Sequence, residues 1–189
     1  MKKPVRLFVC LRPSVAVLKA WEPFRLKAPT WPLRWVPSES LHITLKFLGE
    51  TTSDLQPNIV TALENTVTRV PMLLGLKGGG VFPAKSSAIF WAGVDGDVEK
   101  LAQLAASVEQ ACLPLGFKAE ARPFHPHLTV ARLRSDYDAT KKTLWLQQAY
   151  QQWISKFASM PFVVNDMFLM KSVMSPAEVR YETVATIGF

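Results

Sequence analysis

The chain of 189 residues has little of several features that mark common protein classes. It contains only two cysteines, Cys10 and Cys112, which form neither a C-x-x-C pair nor a dense framework. Their scarcity excludes a disulfide-stapled fold and favours a reduced, cytoplasmic protein. No apolar run approaches the roughly 18 residues of a membrane span. The apolar stretch near the start, residues 7–11, is shorter than the core of a signal peptide, so we expect a soluble protein.

Acidic residues are also few. Asp and Glu number 15 against 22 Lys and Arg, which gives a formal net charge of +7 and a pI near 9.6. This balance favours a polyanionic partner such as RNA, DNA or an anionic membrane, and a solvated basic surface without a partner is the alternative. The hydrophobic fraction of 49% and the charged fraction of 20% indicate a globular chain rather than a disordered one. The length fits a single domain over residues 1–189.

Histidine is scarce as well, and its placement is therefore informative. Two of the three histidines head the same four-residue pattern, HITL beginning at His42 and HLTV beginning at His127. The patterns lie in runs typical of β-strands, residues 41–48 and 127–133. Successive side chains of a strand point to opposite faces, so each histidine shares a face with the threonine two positions later. An imidazole beside a hydroxyl, supplied twice to one cleft, predicts paired acid–base chemistry on a phosphate ester.

Strand and helix signals alternate along the chain and predict a mixed α/β (α+β) fold in one compact unit. Pro29, Pro32 and Pro37 indicate a loop before the first histidine strand. Strands are expected at residues 7–11, 41–48, 73–82, 87–94, 127–133, 161–170 and 180–187. Helices are expected at residues 14–26, from 53 or 54 to at least 67, 98–112 and 141–157. The two halves thus each repeat a helix followed by a histidine strand.

Longer segments around the two patterns carry a family resemblance. Residues 35–50 and 122–132 resemble the two motif blocks of the two-histidine phosphoesterase superfamily, and residues 6–11 resemble its opening strand. Within the superfamily the resemblance is to the bacterial and archaeal RNA 2′,3′-cyclic phosphodiesterases, once called 2′–5′ RNA ligases. A lone H-x-T motif recurs by chance. Two of them, in order, at the family's spacing and with these flanks, form a specific signal.

The resemblance implies a bilobal fold with two pseudo-symmetric lobes, whose antiparallel sheets are flanked by helices around a central cleft. It also implies hydrolysis of RNA 2′,3′-cyclic phosphate ends to 2′-phosphate ends, without a metal or another cofactor, and the same groups would serve reversible 2′–5′ ligation. By resemblance, His42 is the proton donor and His127 the proton acceptor. Imidazole suits both roles, because its unperturbed pKa is about 6.5. RNA ends or nucleoside 2′,3′-cyclic phosphates are the expected substrates of a monomeric enzyme.

Four further residues are candidates for binding the substrate. Thr44 and Thr129 share the faces of their histidines, and their hydroxyls are expected to donate to phosphate oxygens. By resemblance Arg132 contacts the phosphate, although strict strand alternation would turn it away from the cleft unless a bulge intervenes. Lys46 has the same parity as His42 and is a weaker candidate.

Two alternatives remain at this point. His125 and His127 lie two residues apart, and His42 could complete a three-histidine zinc site of a zinc-dependent hydrolase. Pro126 and the repeated threonines argue against that site, and His125 is then a structural neighbour of the reactive pair. The second alternative is a nucleotide- or RNA-binding module that keeps the fold without catalysis.

Overall fold

The computed structural model describes residues 4–66, 71–82, 88–134, 139–157, 161–174 and 179–189, with the backbone alone for residues 139–143. The mixed α/β composition predicted from the sequence is confirmed. The helices are α1 (Val15–Leu26), α2 (Gln56–Glu64), α3 (Val98–Cys112) and α4 (Ala139–Ile154). The strands are β1 (Val5–Leu11), β2 (Leu33–Trp35), β3 (Ile43–Thr51), β4 (Met72–Phe82), β5 (Ile89–Gly96), β6 (His127–Leu133), β7 (Phe162–Val164), β8 (Asp166–Met174) and β9 (Val179–Gly188).

The strands form one antiparallel sheet, and the two halves of the sheet have corresponding strands on either side of its centre. The order is β7-β4-β5-β6-β3-β1-β8-β9, with β2 added beside β6. We call β3, β1, β8 and β9 the first lobe, and β6, β5, β4 and β7 the second lobe. The lobes meet at a single ladder pair, Ile43 opposite Leu128, and the unit β1-α1-β3 is repeated as β5-α3-β6. The predicted bilobal, pseudo-symmetric fold is thus confirmed.

Alternation along the strands decides which side chains face the helices. On β1, Leu7 and Val9 are fully buried in the main core, whereas Phe8 and Cys10 face the other way and join Met170 in a smaller cluster. Full burial of one Leu or Val side chain contributes about 1.5–3 kcal/mol. The sheet is therefore anchored on its helix side, and its opposite face is left to form the cleft.

The helices begin close to where the sequence signals place them. The Ser14 hydroxyl accepts a hydrogen bond from the Val17 amide at 3.4 Å and caps α1, which buries Val17 and Trp21 against the sheet. A single 3₁₀ turn at Ser53–Leu55 precedes α2. Val67, expected on the buried face of that helix, lies outside the described residues. No helix in the described ranges is long and apolar enough to cross a membrane.

Two segments differ from the sequence prediction. The proline-marked loop contains β2, a three-residue strand that pairs with the end of β6. The expected strand over residues 161–170 is two strands: β7 pairs with β4 in the second lobe, and β8 pairs with β1 in the first. The chain changes lobes at Asn165, whose carbonyl accepts a hydrogen bond from the Phe189 amide at 2.8 Å. The apolar periodicity of the sequence continues across Asn165. Such periodicity does not specify which strand each part pairs with, so the sequence did not show the change of lobe.

Candidate active site

An extra residue in β3 changes the face of the side chains that follow it, up to a second register shift at Leu48. In the ladder with β1, Thr44 lies opposite Cys10 and Lys46 lies opposite Val9, so Leu45 forms a β-bulge. Directly opposed residues share a face of the sheet. Lys46 therefore lies on the core side with Val9 and is only 5% exposed.

The Lys46 ammonium group pairs with a helix instead of facing the cleft. It donates to the two carboxylate oxygens of Glu109 on α3 at 2.8 and 2.7 Å, and to the Lys118 carbonyl at 3.0 Å. The sequence prediction that Lys46 shares the face of His42 is wrong, because strict alternation ignores the bulge.

The second lobe has a bulge at the corresponding position, and there it turns a cation toward the cleft. Thr129 lies opposite Trp91, whereas Ala131 lies opposite Phe90, so the extra residue is Val130. Arg132 consequently lies opposite Ile89, on the same face as Thr129 and His127. The condition under which Arg132 can reach the cleft is therefore met by the fold.

The two motif histidines, His42 and His127, are oriented by the same backbone contact. Nδ1 of His42 lies 2.7 Å from the Ser40 carbonyl, and Nδ1 of His127 lies 2.7 Å from the His125 carbonyl. A carbonyl oxygen only accepts hydrogen bonds, so Nδ1 carries the proton in both rings. In each neutral imidazole Nε2 then holds the lone pair, and it gains a proton when the ring is charged. The duplicated contact thus assigns proton exchange to Nε2 on both sides.

His42 lies in an apolar setting that disfavours its charged form. Burial lowers its pKa to about 4, and the hydrogen bond to Ser40 offsets only part of that effect. The positive charges of His127, Arg12 and Arg132 lower the pKa of His42 further. The fold thus brings His127 and both arginines close enough to act electrostatically on His42.

His127 is perturbed in the same direction by related causes. Burial lowers its pKa, the His125 carbonyl raises it, and the charge of the His125 ring lowers it. Both imidazoles are accordingly neutral in the ligand-free protein at pH 7. An anion placed between them would favour their charged forms.

Aromatic rings enclose each histidine. The His42 ring centroid lies 4.8 Å from that of Phe8 and 5.0 Å from that of Tyr181. The His127 ring centroid lies 4.9 Å from that of Phe82, which stacks on Trp91 at 5.2 Å. These rings exclude water from the imidazoles. Burial is therefore the largest cause of the lowered pKa of both His42 and His127.

A glycine positions the Trp91 ring in this wall. Gly80 lies directly opposite Trp91 in the β4–β5 ladder. A Cβ at Gly80 would come within 2.6 Å of the Trp91 Cζ2 atom. Only glycine therefore allows the indole to lie over β4 in this arrangement.

His125 belongs to this aromatic wall. Its ring packs edge-on against Phe82 at 5.3 Å and Trp91 at 4.8 Å between centroids, and lies 6.1 Å from the His127 ring. Within the part of the chain that the structure describes, no three His, Cys, Asp or Glu side chains are grouped to hold a metal. His42, His125 and His127 thus do not form the ligand set that the zinc alternative requires.

The two threonines keep the faces predicted for them because each precedes its bulge. Thr44 and Thr129 are both half-buried on the faces of His42 and His127. Across the described ranges, neither hydroxyl is hydrogen-bonded to another protein group. Both are free to donate to a bound anion.

The sequence interpretation did not select Arg12, which the fold places beside His42. The last pair of the β1–β3 ladder joins Leu11 and Ile43. Arg12 comes directly after Leu11 and His42 directly before Ile43, so Arg12 lies across from His42. Its guanidinium donates to the Glu39 carbonyl at 3.0 Å and lies 5.8 Å from the Phe168 ring centroid. Gly93 occupies the corresponding position opposite His127. The signal for Arg12 is its place across the ladder from His42, which becomes readable only once the strands are paired.

Comparisons with known proteins identify the family of this chain. A family model described as the 2′-5′ RNA ligase superfamily matches residues 13–173. An RNA 2′,3′-cyclic phosphodiesterase of Archaeoglobus fulgidus is 34% identical over 149 residues, which cover 78% of this chain and 78% of that protein. One from Geobacillus stearothermophilus is 39% identical over 100 residues, covering 52% of this chain and 32% of that protein. The chain thus spans less than two thirds of the length of the Geobacillus relative.

A solved structure gives the same result for the fold. The Escherichia coli LigT structure complexed with 3′-AMP superposes with a TM-score of 0.77, at 22% sequence identity, and the match covers 98% of both chains. At this identity the likeness establishes the fold alone. With the family match over residues 13–173, it shows that the chain belongs to the 2′-5′ RNA ligase superfamily.

Proposed function

We propose that this protein hydrolyses RNA 2′,3′-cyclic phosphate ends to 2′-phosphate ends by paired-histidine acid–base catalysis. The observation that carries the proposal is the duplicated imidazole geometry. Both His42 and His127 donate Nδ1–H to a backbone carbonyl two residues earlier and keep Nε2 for proton exchange. The relatives named RNA 2′,3′-cyclic phosphodiesterase support the choice of substrate.

In the proposed reaction the two histidines act on opposite sides of phosphorus. Nε2 of His127 accepts a proton from water as the water oxygen bonds to phosphorus. The bond from phosphorus to the 3′ oxygen breaks, and Nε2–H of His42 delivers its proton to that oxygen. The 2′ ester bond is retained, so the product is a 2′-phosphate. Proton exchange with solvent then restores the starting state. If the 5′ hydroxyl of a second RNA attacked phosphorus in place of water, the same steps would form a 2′–5′ linkage.

In this proposal the substrate itself raises the pKa of the proton donor, His42. His42 must be protonated to act as the donor, yet its surroundings lower its pKa to about 4. The phosphate anion supplies the opposite charge that the apolar pocket lacks, and it raises the pKa of the adjacent imidazole. His42 thus becomes an effective acid only when the anion is bound.

Hydroxyl and guanidinium groups stabilise the phosphate in this proposal. Thr44 and Thr129 donate to the non-bridging oxygens from the two lobes. Arg132 balances the charge that grows on those oxygens as water attacks. Arg12 adds a second positive charge from the side of His42, where its effect on the imidazole pKa already places it close by.

The remaining features of the proposal concern the whole molecule. We expect residues 1–189 to act as one catalytic domain, as a monomer, in the cytoplasm and without a metal. Both cysteines are buried free thiols, which suits a reducing compartment. Burial raises the pKa of Cys10 to about 12, so its thiolate is not available as a nucleophile.

The decisive experiment is a turnover assay with a nucleoside 2′,3′-cyclic phosphate, in which the 2′- and 3′-monophosphate products are separated. We expect the 2′-phosphate, at equal rates with and without a chelator. A 3′-phosphate product would overturn the assigned leaving group. Loss of activity with a chelator, together with about one zinc per chain by elemental analysis, would overturn the metal-free mechanism. No turnover by folded protein would contradict the proposed function as a whole.

A further inference from the structure

Two arginines lie directly opposite each other in the sheet, on the cleft side. Strand β2 pairs with the end of β6, and Arg34 is the ladder partner of Arg132. Opposed residues share a face, so Arg34 lies on the same face as Arg132, Thr129 and His127. Arg132 is half-buried, whereas Arg34 is exposed and lies one strand further out.

The stability of the sheet does not explain this arrangement. Like charges directly opposite each other in a sheet are destabilising. Among the residues that the structure describes, neither the Arg34 nor the Arg132 guanidinium group makes a hydrogen bond or an ion pair. Some cations elsewhere are paired, such as Lys171 with Glu182 at 2.7 Å. The opposed arginines therefore indicate a binding partner that brings at least two negative charges.

The charge pattern fits an RNA strand. Cβ atoms of an opposed pair lie about 5 Å apart, so two long arginine side chains reach neighbouring but separate anions. The guanidinium group matches a phosphate with two parallel N–H donors. Successive phosphates of a nucleic acid strand are separated by one nucleotide, which provides two such anions in a row.

We propose that Arg34 binds the phosphodiester on the 5′ side of the terminal nucleotide while Arg132 contacts the cyclic phosphate. This inference rests on the proposed function and specifies its substrate class as an oligoribonucleotide. The strand leaves the cleft over β6 and β2. A mononucleotide occupies only the part of the site that contains the histidines and Arg132.

The test compares a mononucleoside 2′,3′-cyclic phosphate with a dinucleotide that ends in the same cyclic nucleotide. We expect kcat/KM of the unaltered protein to be about tenfold higher for the dinucleotide, the size of one hydrogen bond to a charged group. Arg34→Ala should abolish that advantage and leave mononucleotide turnover unchanged, and Arg34→Lys should retain part of it. Lys19→Ala removes one exposed charge from α1 on the opposite side of the sheet, and it should change neither value.

A neutral internal linkage identifies the atom group that Arg34 recognises. In a dinucleotide with a methylphosphonate linkage, the tenfold advantage should vanish in the unaltered protein, and Arg34→Ala should have no further effect. Raising salt should weaken binding of the natural dinucleotide more than that of the mononucleotide, with an added logarithmic slope of up to about 0.7.

Each result decides between the two proposals. Equal kcat/KM for the mononucleotide and the dinucleotide would overturn the Arg34 assignment and leave the proposed function standing. An advantage that survives the methylphosphonate, or a loss on Arg34→Ala that is equal for both substrates, would also overturn it. If the unaltered protein hydrolyses neither substrate, the proposed function itself fails.

Discussion

Across the strand ladder from His127 lies Gly93, whereas the corresponding place beside His42 belongs to Arg12. The backbone plan of the two lobes is thus duplicated, but the charge around the two imidazoles is not. Arg12 and Arg132 both act on His42, while the charge that acts on His127 is that of the His125 ring.

A second difference follows the two bulges. Two positions beyond the bulge residue Val130, the second lobe has Arg132. Two positions beyond the bulge residue Leu45, the first lobe has Phe47, which is 69% exposed. Both side chains lie on the cleft face of the sheet. Phe47 is the ladder partner of Phe8, and Arg132 is the ladder partner of Ile89. One lobe thus contributes a cation and the other an aromatic ring at equivalent positions.

These differences show how a symmetric scaffold can serve an asymmetric reaction. The proposed in-line attack on a cyclic phosphate needs groups on opposite sides of phosphorus, and we expect the two histidine strands to supply them. The reaction also needs one acid and one base. Unequal charge and burial around identical imidazoles are the means by which the chain can distinguish the two roles.

The largest expected effect is the loss of either imidazole. His42→Ala and His127→Ala should each lower kcat on a mononucleoside 2′,3′-cyclic phosphate by about 10²–10⁴-fold, the usual contribution of one general acid or base. His125→Ala keeps the backbone carbonyl that orients His127 and should lower kcat far less. Steady-state kinetics and circular dichroism of the three variants provide the check. A folded His42 or His127 variant with nearly unaltered turnover would refute the paired mechanism.

The next effect tests the two positions beyond the bulges. Arg132→Ala should lower kcat/KM for the same mononucleotide by about 10–100-fold, because it removes a hydrogen-bonded charge from the phosphate. Phe47→Ala is the matched substitution in the first lobe and should have a much smaller effect. Equal losses in the two variants would mean that the cleft does not distinguish the lobes in this way.

The sequence alone predicts the local parts of this site and misses the long-range ones. The H-x-T alternation assigns His42 and Thr44 to one face because the period of a strand is a local property. The faces of Lys46 and Arg132 depend on bulges, which exist only in relation to a partner strand. Sequence reasoning recognised this condition for Arg132 and ignored it for Lys46.

The arginines outside the motifs were missed for related reasons. Arg34 lies between Pro32 and Pro37, which indicate a loop, although a short edge strand tolerates flanking prolines. Arg12 follows the end of β1 and has no motif of its own. Both positions acquire meaning from their ladder partners, which are distant in sequence.

A titration should reveal the unequal charge around the two imidazoles. We expect His42 to titrate near pH 4 and His127 below its ordinary value, as followed by NMR of the ring protons. Arg12→Ala should raise the pKa of His42, because it removes a positive charge that disfavours the imidazolium. Lys19→Ala should leave both titrations unchanged. A His42 that titrates near the ordinary imidazole pKa of about 6.5 would contradict this expectation.

The same titration should also make the stability of the protein depend on pH in a defined range. The pKa of His42 is about 4 in the folded protein and about 6.5 in the unfolded chain. Between these values the unfolded chain binds a proton that the folded protein does not, so lowering the pH favours unfolding. The contribution is fully present above pH 6.5, and up to about 3 kcal/mol is lost on approaching pH 4.

Denaturant unfolding at pH 7 and pH 4.5 measures this contribution. In His42→Asn the free energy of unfolding should fall less between these pH values than in the unaltered protein. The difference between the two falls isolates His42, since carboxylates affect both proteins alike. Lys19→Ala removes an exposed charge on the opposite side of the sheet, and this control should keep the full pH dependence. If His42→Asn loses as much stability as the unaltered protein, burial does not lower the pKa of His42 in the folded protein.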